Sequence, residues 1–316
     1  MIDQQPSDAH PETPRMEDQR CGFAAIFGLT NAGKSTLVNR MVGTKVTIVS
    51  RKVQTTRANI RGIYIAGPAQ VILVDTPGLF APKRRLDRAM VDAAWSGSGD
   101  ADITVLLVDA VRGLDEELEG VLERLGASGG RRRLLALNKV DLVEDKGALL
   151  ALTTALTERQ TFDEVHYLSA LDGGGVAELS ADLAAHVPPG PWLYPADDIS
   201  DLPMRQLAAE VLREKIYDRL HQELPYAITV ETTEWRDMGK KGVRIEQTIY
   251  VERDGQKGIV LGQRGQTIKA MSSEARAEIS AMIERPVHLF TFVKVRGNWS
   301  DDPERFREMG LPFPKD

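Results

Sequence analysis

The stretch Gly28-Leu29-Thr30-Asn31-Ala32-Gly33-Lys34-Ser35 decides the fold of the first half of the chain. It matches the pattern G-x-x-x-x-G-K-S, comes directly after the apolar run 23–27 and precedes a stretch of helical character. Glycines in such a loop let backbone N–H groups turn inward around phosphates, and the following helix adds its positive end. Lys34 is expected to reach the β- and γ-phosphates and the Ser35 hydroxyl to bind Mg²⁺. The stretch therefore predicts a phosphate-binding loop between a strand and a helix.

Four more short apolar runs follow this loop at intervals typical of alternating strands and helices. They are residues 71–74, 103–108, 134–137 and 165–168, each followed by a turn or a small polar residue. Near-continuous apolar strands of this length are typical of a parallel sheet that helices cover on both faces. We therefore predict an α/β P-loop domain over residues 20–187, with its ligand at the carboxyl ends of the strands.

The composition is that of a folded, acidic protein with two domains. The chain has 316 residues, 42% of them apolar and 27% charged, and a formal net charge of −6. This charge gives no hint of a nucleic-acid partner, so any RNA site would have to be a local basic patch. Cys21 is the single cysteine, which excludes an internal disulfide and fits a reducing compartment.

The hydropathy pattern predicts a cytoplasmic protein. No run approaches the ~18–20 apolar residues that a membrane span requires. The first 19 residues are polar and lack the apolar segment of a signal peptide. We predict that residues 1–19 form a disordered tail.

Asp75-Thr76-Pro77-Gly78 follows the apolar run 71–74 and is placed to sense the nucleotide. In this context Asp75 would hold Mg²⁺ through a water, and the Gly78 N–H would contact the γ-phosphate. Upstream, residues 50–57 contain two threonines, one of which should ligate Mg²⁺ only when the γ-phosphate is present. We favour Thr56 over Thr55 for that role. The predicted Mg²⁺ ligands are Ser35, Thr56 and Asp75, and the predicted catalytic residues are Lys34, Thr56 and Gly78.

Asn138-Lys139-Val140-Asp141 predicts that the base is guanine. The Asp141 carboxylate can accept bonds from guanine N1–H and the 2-amino group, whereas adenine has an acceptor at N1 and lacks that amino group. Asn138 would brace the loop, the Lys139 stem would pack over the ring, and the Ala170 N–H would bond the guanine oxygen. The predicted GTP-binding residues are Gly28, Asn31, Ala32, Gly33, Lys34, Ser35, Thr36, Asp75, Thr76, Pro77, Gly78, Asn138, Lys139, Asp141, Ser169 and Ala170.

Hydrolysis is predicted to be slow. Ras-like proteins orient the attacking water with a glutamine just after the glycine of D-x-x-G, and Leu79 occupies that position here. Because a leucine side chain forms no hydrogen bonds, backbone groups, a partner or a monovalent cation would have to replace the glutamine. Asn31 is a candidate for holding K⁺ near the β–γ bridge, and a purely structural asparagine is the alternative.

Five prolines between residues 188 and 203 mark a domain boundary. Proline cannot continue a helix or a central strand, so we predict a stiff linker over residues 188–203. Residues 204–300 are predicted to form a second domain in the order α-β-β-α-α-β. Its strands are expected over 227–234, 243–251 and 287–295, and its long helices over 204–223 and 266–284. A charged tail, residues 301–316, follows, and a helix is one possibility for it.

Gly262-Gln263-Arg264-Gly265 joins the last two helices of that unit. In this setting G-x-x-G is typical of a KH domain, in which the loop backbone clamps the phosphates of about four nucleotides of single strand. Residues 236–269 hold eight basic and four acidic residues, a local excess that suits phosphate contact. A solvated charged surface with a helix-linking turn is the alternative. The predicted RNA-binding residues are Lys257, Gly262, Gln263, Arg264, Gly265 and Lys269.

The chain resembles the bacterial Era GTPase family from about residue 22 to residue 311. In the first domain it shares G-L-T-N-A-G-K-S, S-R-K-V-Q-T-T-R, D-T-P-G-L, N-K-V-D and S-A, which many GTPases have in similar form. The second-domain motifs are more discriminating: R-E-K-I at 213–216, E-L-P-Y at 223–226, G-Q-R-G, and V-K-V-R-G-N-W-S-D-D at 293–302. The resemblance implies a P-loop GTPase domain followed by an α+β type II KH domain.

The resemblance also implies a function. It implies binding to the 3′ end of 16S ribosomal RNA during 30S subunit maturation, slow GTP hydrolysis that RNA stimulates, and loose association with the inner membrane surface. We expect a monomeric GTP/GDP switch with Mg²⁺ as cofactor and K⁺ as a candidate second ion. The chain departs from the family in its longer N-terminal tail and in Leu29-Thr30, where relatives commonly have Arg-Pro. Those two are spacer positions, so no loss of activity is expected.

The leading hypothesis is an RNA-coupled GTPase switch. In it, GTP orders the loops of Thr56 and Gly78 and thereby biases how the two domains pack. The main alternative is a regulatory GTPase whose second domain binds a protein. Salt-sensitive binding of a short single strand, lost in Gly265→Asp, would separate the two. A tRNA-modifying GTPase is disfavoured because no further catalytic cysteine or cofactor motif follows the first domain.

Overall fold

The strands that the structure describes form two sheets, one in each half of the chain. The computed structural model describes residues 14–15, 17–50, 52, 55–82, 84–127, 131–220, 224–297, 299 and 302–314. Within these residues the first sheet has six strands and the second has three. The predicted tail 1–19 lies mostly outside the described residues.

The first sheet has the order β2-β3-β1-β4-β5-β6. Its strands are β1 (Arg20–Phe27), β2 (Ile60–Ala66), β3 (Ala69–Asp75), β4 (Ile103–Asp109), β5 (Arg132–Asn138) and β6 (Glu164–Leu168). All neighbours pair in parallel except β2, which is antiparallel to β3. The predicted mostly parallel sheet is thereby confirmed, whereas edge strand β2 was not predicted.

Helices cover both faces of this sheet, as predicted. They are α1 (Lys34–Val42), α2 (Arg85–Asp100), α3 (Glu116–Ala127), α4 (Lys146–Arg159) and α5 (Val176–His186). Successive strand residues point to opposite faces, so Leu107 joins the core under α1 and α5 while Leu106 joins the core under α2, α3 and α4. Because both faces are buried, the strands are apolar along their length.

The second domain has the predicted order α-β-β-α-α-β. Its helices are α6 (Met204–Arg219), α7 (Asp254–Leu261) and α8 (Gln266–Met282). Its strands are β7 (Ile228–Asp237), β8 (Val243–Val251) and β9 (Val287–Val295), with β7 antiparallel and β9 parallel to the central β8. Helix α6 contributes Leu212 and Ile216 to a core shared with Ile245 of β8 and Ile279 of α8.

The proline-rich segment 188–203 lies against the first sheet instead of spanning free space. The buried Gln70 side chain of β3 accepts hydrogen bonds from the N–H groups of Leu193 and Tyr194 at 2.9 and 3.0 Å, and donates to the Tyr194 carbonyl at 2.8 Å. Further along, the Ile63 N–H donates to the Ile199 carbonyl at 2.9 Å. The segment is therefore held in place by the first domain.

The C-terminal residues also pack on the first domain. Helix α9 (Pro303–Glu308) places Phe306 in an apolar cluster with Met90 of α2 and with Trp299. The Trp299 indole N–H donates to the Ala227 carbonyl of the second domain at 3.0 Å. The predicted tail thus contains a helix and contacts both domains, and its residues 301, 315 and 316 lie outside the described part. Among the described residues, no helix has the length and apolar character needed to cross a membrane.

We predict that Phe306→Ala lowers the free energy of unfolding in urea by about 3–5 kcal/mol, the usual cost of deleting a buried aromatic ring. Phe306 is 0% exposed, whereas Phe313, at 37%, lies in the same segment and supplies the matched control. Phe313→Ala should cost less, about 1–2 kcal/mol at most, because its partly exposed ring loses mainly an edge-to-face contact with Phe306. Equal losses in the two variants would contradict the packing of this segment.

Candidate functional site

The phosphate loop lies at the carboxyl end of β1, and its glycines occupy positions that no other residue fits. Gly28 has φ 152° and Gly33 has φ 98°. A Cβ atom on Gly28 would lie 2.3 Å from the Leu107 carbonyl oxygen, and one on Gly33 would lie 2.3 Å from the Asn138 amide nitrogen. The loop therefore fits tightly between β4 and the last residue of β5, and α1 follows directly on Gly33.

Lys34 is held inside this loop. It is 6% exposed, and its ammonium donates to the carbonyls of Gly28 at 3.1 Å and Leu29 at 2.9 Å. Burial lowers the pKa of Lys34 to about 8, and the negative charge of Asp75 limits this drop. An anion in the loop would favour the charged form, so the site is suited to phosphate.

Three hydroxyl groups surround the buried carboxylate of Asp75. Its Oδ2 accepts from Ser35 Oγ at 2.7 Å, Thr47 Oγ1 at 2.9 Å and Thr56 Oγ1 at 3.3 Å. Ser35 Oγ and Thr56 Oγ1 are 2.9 Å apart. Burial raises the pKa of Asp75, and the Ser35 hydrogen bond, the charge of Lys34 and the other hydroxyls oppose that rise. No motif in the sequence marks Thr47, so its place beside Asp75 was not predicted.

The structure brings together the three residues predicted to bind Mg²⁺. Asp75 Oδ1 is buried and has no hydrogen-bond partner among the described residues. A carboxylate and two hydroxyl oxygens are the kind of ligands that Mg²⁺ accepts. Thr55, the alternative to Thr56, instead turns its hydroxyl to the Lys52 carbonyl at 2.8 Å.

The segment after β3 lies directly beside the phosphate loop. The Leu79 N–H donates to the Gly28 carbonyl at 3.1 Å, and the Thr30 N–H donates to the Leu79 carbonyl at 3.3 Å. A Cβ atom on Gly78 would lie 2.9 Å from the Thr30 Cα, so this approach also requires glycine. The Leu79 side chain is 4% exposed and packs into the apolar core beside Leu29. Thr76, behind the loop, is buried and donates to the Ile26 carbonyl at 2.9 Å.

Asn138 joins the phosphate loop to the loop that follows β6. Its amide donates to the Ala32 carbonyl at 2.7 Å, and its oxygen accepts from the Ala170 N–H at 2.9 Å. The Ala170 N–H, predicted to bond guanine, is therefore already used within the protein, and a guanine oxygen would have to share it. Lys139 adopts φ 65° and pairs with Asp109, while the Asp141 side chain is exposed.

A cleft of about 940 Å³ contains most of the predicted nucleotide-binding residues. The members that line it are Asn31, Gly33, Lys34, Ser35, Thr36, Gly78, Asn138, Lys139, Asp141, Ser169 and Ala170, together with both candidate threonines, Thr55 and Thr56. Gly28, Ala32, Asp75, Thr76 and Pro77 are not among the lining residues. Tyr217 and Asp218 of α6 also line the cleft, so the second domain forms part of its wall.

The predicted RNA loop joins α7 to α8 and projects its side chains outward. Gly262 has φ 70°, and a Cβ atom there would lie 2.0 Å from Thr267 Oγ1, whereas Gly265 has φ 76° and open space around it. Gln263, Arg264 and Lys269 are exposed and Lys257 is half-buried. Ile259 of α7 is 57% exposed and adds an apolar surface that was not predicted. Arg244, counted in the basic patch, instead pairs with Glu246.

Family models match both domains. The model described as a 50S ribosome-binding GTPase matches residues 23–139, and the model described as a KH domain matches residues 223–300. The match to a KH domain confirms the predicted class of the second domain.

Close relatives cover nearly the whole chain. GTPase Era of Bradyrhizobium diazoefficiens is 60% identical over 297 residues, which are 94% of this chain and 96% of that protein. A variant of Aquifex aeolicus Era, solved with GDP and aluminium fluoride, has a TM-score of 0.87 at 34% identity and covers 92% of this chain and 99% of its own. An Era solved with MgGDPNP and nucleotides 1506–1542 of 16S ribosomal RNA gives the same values. Similarity of this extent, through both domains, shows that the chain belongs to the Era GTPase family.

Proposed function

We propose that the chain is a GTP-hydrolysing switch that binds the 3′ end of 16S ribosomal RNA through its KH domain and assists maturation of the 30S subunit. The observation that carries this proposal is the whole-chain similarity to an Era that was solved with both MgGDPNP and a 16S RNA segment. The model named for the 50S subunit covers only residues 23–139 of the GTPase domain, so it does not bear on which RNA the second domain binds.

Ser35, Thr56 and Asp75 are the residues that would hold Mg²⁺. The buried and unpartnered Asp75 Oδ1 is an oxygen that a cation or its bound water would satisfy. When bound, Mg²⁺ neutralises charge on the β- and γ-phosphate oxygens. Ser35 would approach the Mg²⁺ from the phosphate loop, and Thr56 would approach it from the loop before β2. Thr56 would thereby tie the position of its loop to the presence of the γ-phosphate.

The arrangement around Leu79 supports the proposal that hydrolysis is slow. Its side chain packs into the core and its backbone pairs with the phosphate loop, so it presents no group to an attacking water. Lys34 and the Gly78 N–H would stabilise charge that develops on the phosphates. They would not by themselves orient the water, so an RNA or protein partner, or a monovalent cation, is left to do so.

Asn31 has two possible roles. It lines the nucleotide cleft, which supports the proposal that it helps to hold K⁺ near the β–γ bridge. It also has φ 62°, a left-handed conformation that asparagine tolerates better than most residues, which supports a purely structural role. The first role requires the side-chain oxygen, whereas the second requires only a residue that tolerates φ 62°.

The KH loop would bind RNA through its backbone and its basic neighbours. Gly262 and Gly265 keep side chains away from the phosphates, while Arg264 and Lys269 provide exposed positive charge. The exposed Ile259 would offer an apolar surface to a base. From the family resemblance alone, we further propose a monomeric, cytoplasmic protein with peripheral association at the inner membrane.

We predict that Asp141→Asn weakens GTP binding by about 100-fold or more, because two hydrogen bonds to a charged acceptor are lost. The variant should gain affinity for xanthosine triphosphate, whose 2-oxo group accepts a bond from the new amide. Calorimetric titration with both nucleotides measures the change. Asp145→Asn is the matched control, since Asp145 caps α4 by accepting from the Gly147 N–H, and its GTP affinity should stay unchanged. Unaltered base preference in Asp141→Asn would contradict the assignment.

We predict that Asn31→Gly abolishes any stimulation of GTP turnover by K⁺ over Na⁺. Glycine keeps the left-handed conformation and removes the side chain that would bind the ion. GDP affinity should not change, since the loop backbone is retained. Asn31→Ala tests the other role, because alanine disfavours φ 62°. If Asn31→Gly keeps the wild-type dependence on K⁺, the asparagine is structural.

We predict that a short oligonucleotide of the 16S 3′ end stimulates GTP turnover and binds in a salt-dependent manner. Gly265→Asp should weaken that binding by about tenfold or more, because it strains the loop and repels phosphate. Gly120→Asp adds the same charge on α3, where the space around Gly120 is open, and should leave RNA binding intact. If the oligonucleotide neither changes GTP turnover nor binds in a salt-dependent manner, a second domain that binds protein is favoured.

A further inference from the structure

Helix α6 presents a polar stripe to the loop that carries Thr56. The stripe consists of Glu210, Arg213, Glu214, Tyr217 and Asp218, which follow the i, i+3, i+4, i+7 and i+8 spacing of one helix face. The apolar residues of α6 face the core of the second domain. Arg213, Glu214 and Tyr217 are nevertheless buried, at 1%, 4% and 0% exposure, because the described residues of this loop (45–50, 52 and 55–57) cover them.

The α6 stripe binds this loop along its length. The Glu214 carboxylate accepts from the Val49 N–H at 2.8 Å and from the Lys45 ammonium at 2.5 Å. Ser50 Oγ donates to Asp218 at 3.3 Å, and the Lys52 ammonium donates to carbonyls at the C-terminal end of α6. Backbone and side chains of the loop are thus held by one helix of the other domain.

Thr56 is fixed on both sides by the α6 stripe. Arg213 Nη2 donates to the Thr55 carbonyl at 2.6 Å, and the Arg57 guanidinium donates to the Tyr217 hydroxyl at 3.2 Å. The Thr55 carbonyl belongs to the planar peptide unit that also contains the Thr56 nitrogen, so holding this carbonyl orients Thr56. Thr56 Oγ1 then lies 2.9 Å from Ser35 Oγ.

Arg213 is itself held in one orientation. Its Nε donates to Glu210 at 2.9 Å, and its guanidinium carbon lies 5.2 Å from the centre of the Tyr217 ring. A planar guanidinium fixed by a carboxylate and a ring leaves one N–H directed at the Thr55 carbonyl. This geometry is set within the second domain and acts on the first.

We propose that Arg213 is a positioning residue for the nucleotide switch, through which docking of the second domain places Thr56 at the Mg²⁺ site. This inference rests on the proposed role of Thr56 as a Mg²⁺ ligand. It identifies the contact by which the second domain affects the affinity for GTP relative to GDP. By thermodynamic linkage, GTP then favours docking of α6 by the same factor.

The test compares affinities for GDPNP and GDP in Arg213→Lys by calorimetric titration, with Mg²⁺ and with EDTA. Lysine keeps the charge but cannot contact Glu210 and the Thr55 carbonyl with one planar group. In Mg²⁺ the preference for GDPNP over GDP should fall by about fivefold to 100-fold, a usual range for coupling between sites. GDP affinity should stay within about twofold, and the difference from wild type should vanish in EDTA because Thr56 acts through the metal.

Arg219→Lys is the matched control. Arg219 lies on the same helix, but it is directed at Glu274 of its own domain and is 41% exposed. It should leave both affinities unchanged. Glu210→Gln is a milder second variant, since the Glu210 side chain is 25% exposed and glutamine can still accept from Arg213. It should shift the preference in the same direction by a smaller factor, and it keeps the test available if Arg213→Lys does not fold.

Thr56→Ala, measured in the same assay, separates this inference from the function on which it rests. If Thr56→Ala lowers the GDPNP preference and Arg213→Lys adds nothing to it in the double variant, the inference is supported. If Thr56→Ala lowers the preference but Arg213→Lys alone does not, or weakens both nucleotides equally with and without Mg²⁺, Arg213 merely packs the interface and the inference fails. If Thr56→Ala has no effect, the proposed Mg²⁺ role of Thr56 fails first and the inference fails with it.

Discussion

The buried carboxylate of Asp75 is the constraint on which the rest of the structure depends. An ionised group that is 0% exposed is costly unless hydrogen bonds and opposite charge compensate for lost hydration. Here the compensation comes from Ser35, Thr47 and Thr56, with Lys34 near by. These donors belong to the phosphate loop and to the segment before β2. One carboxylate at the end of β3 therefore holds together the two segments that a nucleotide must meet.

The same arrangement reaches the second domain. The segment that carries Thr56 is fixed to Asp75 on one side and to the α6 stripe on the other. Arg213 and Glu214 are buried charges that have partners on α6 itself, Glu210 and Lys215, and further partners across the domain boundary. Separating the domains would break the bonds of Arg213 to the Thr55 carbonyl and of Glu214 to the Val49 N–H. The packing of the domains and the order of this segment are therefore two aspects of one structural state.

Local patterns predicted a large part of this structure. The parallel strands, the phosphate loop and the guanine motif depend on residues close in sequence, and their spacing alone indicates them. Strand β2 contains the run Ile63-Tyr64-Ile65-Ala66, a signal in the sequence that was overlooked. The contact of Arg213 with Thr55, the role of Gln70 and the docking of Phe306 join residues far apart in sequence, and no single-chain pattern marks such pairs.

The burial of Leu79 has an evolutionary consequence. A glutamine at this position would place an amide in the apolar core beside Leu29, at a cost of about 1–3 kcal/mol if it stayed unpaired. Recovering a fast, self-sufficient enzyme would thus require the phosphate loop, the segment after β3 and their shared core to change together. If hydrolysis is as slow as we propose, the lifetime of the GTP-bound form would be set by the partner or cation that orients the attacking water.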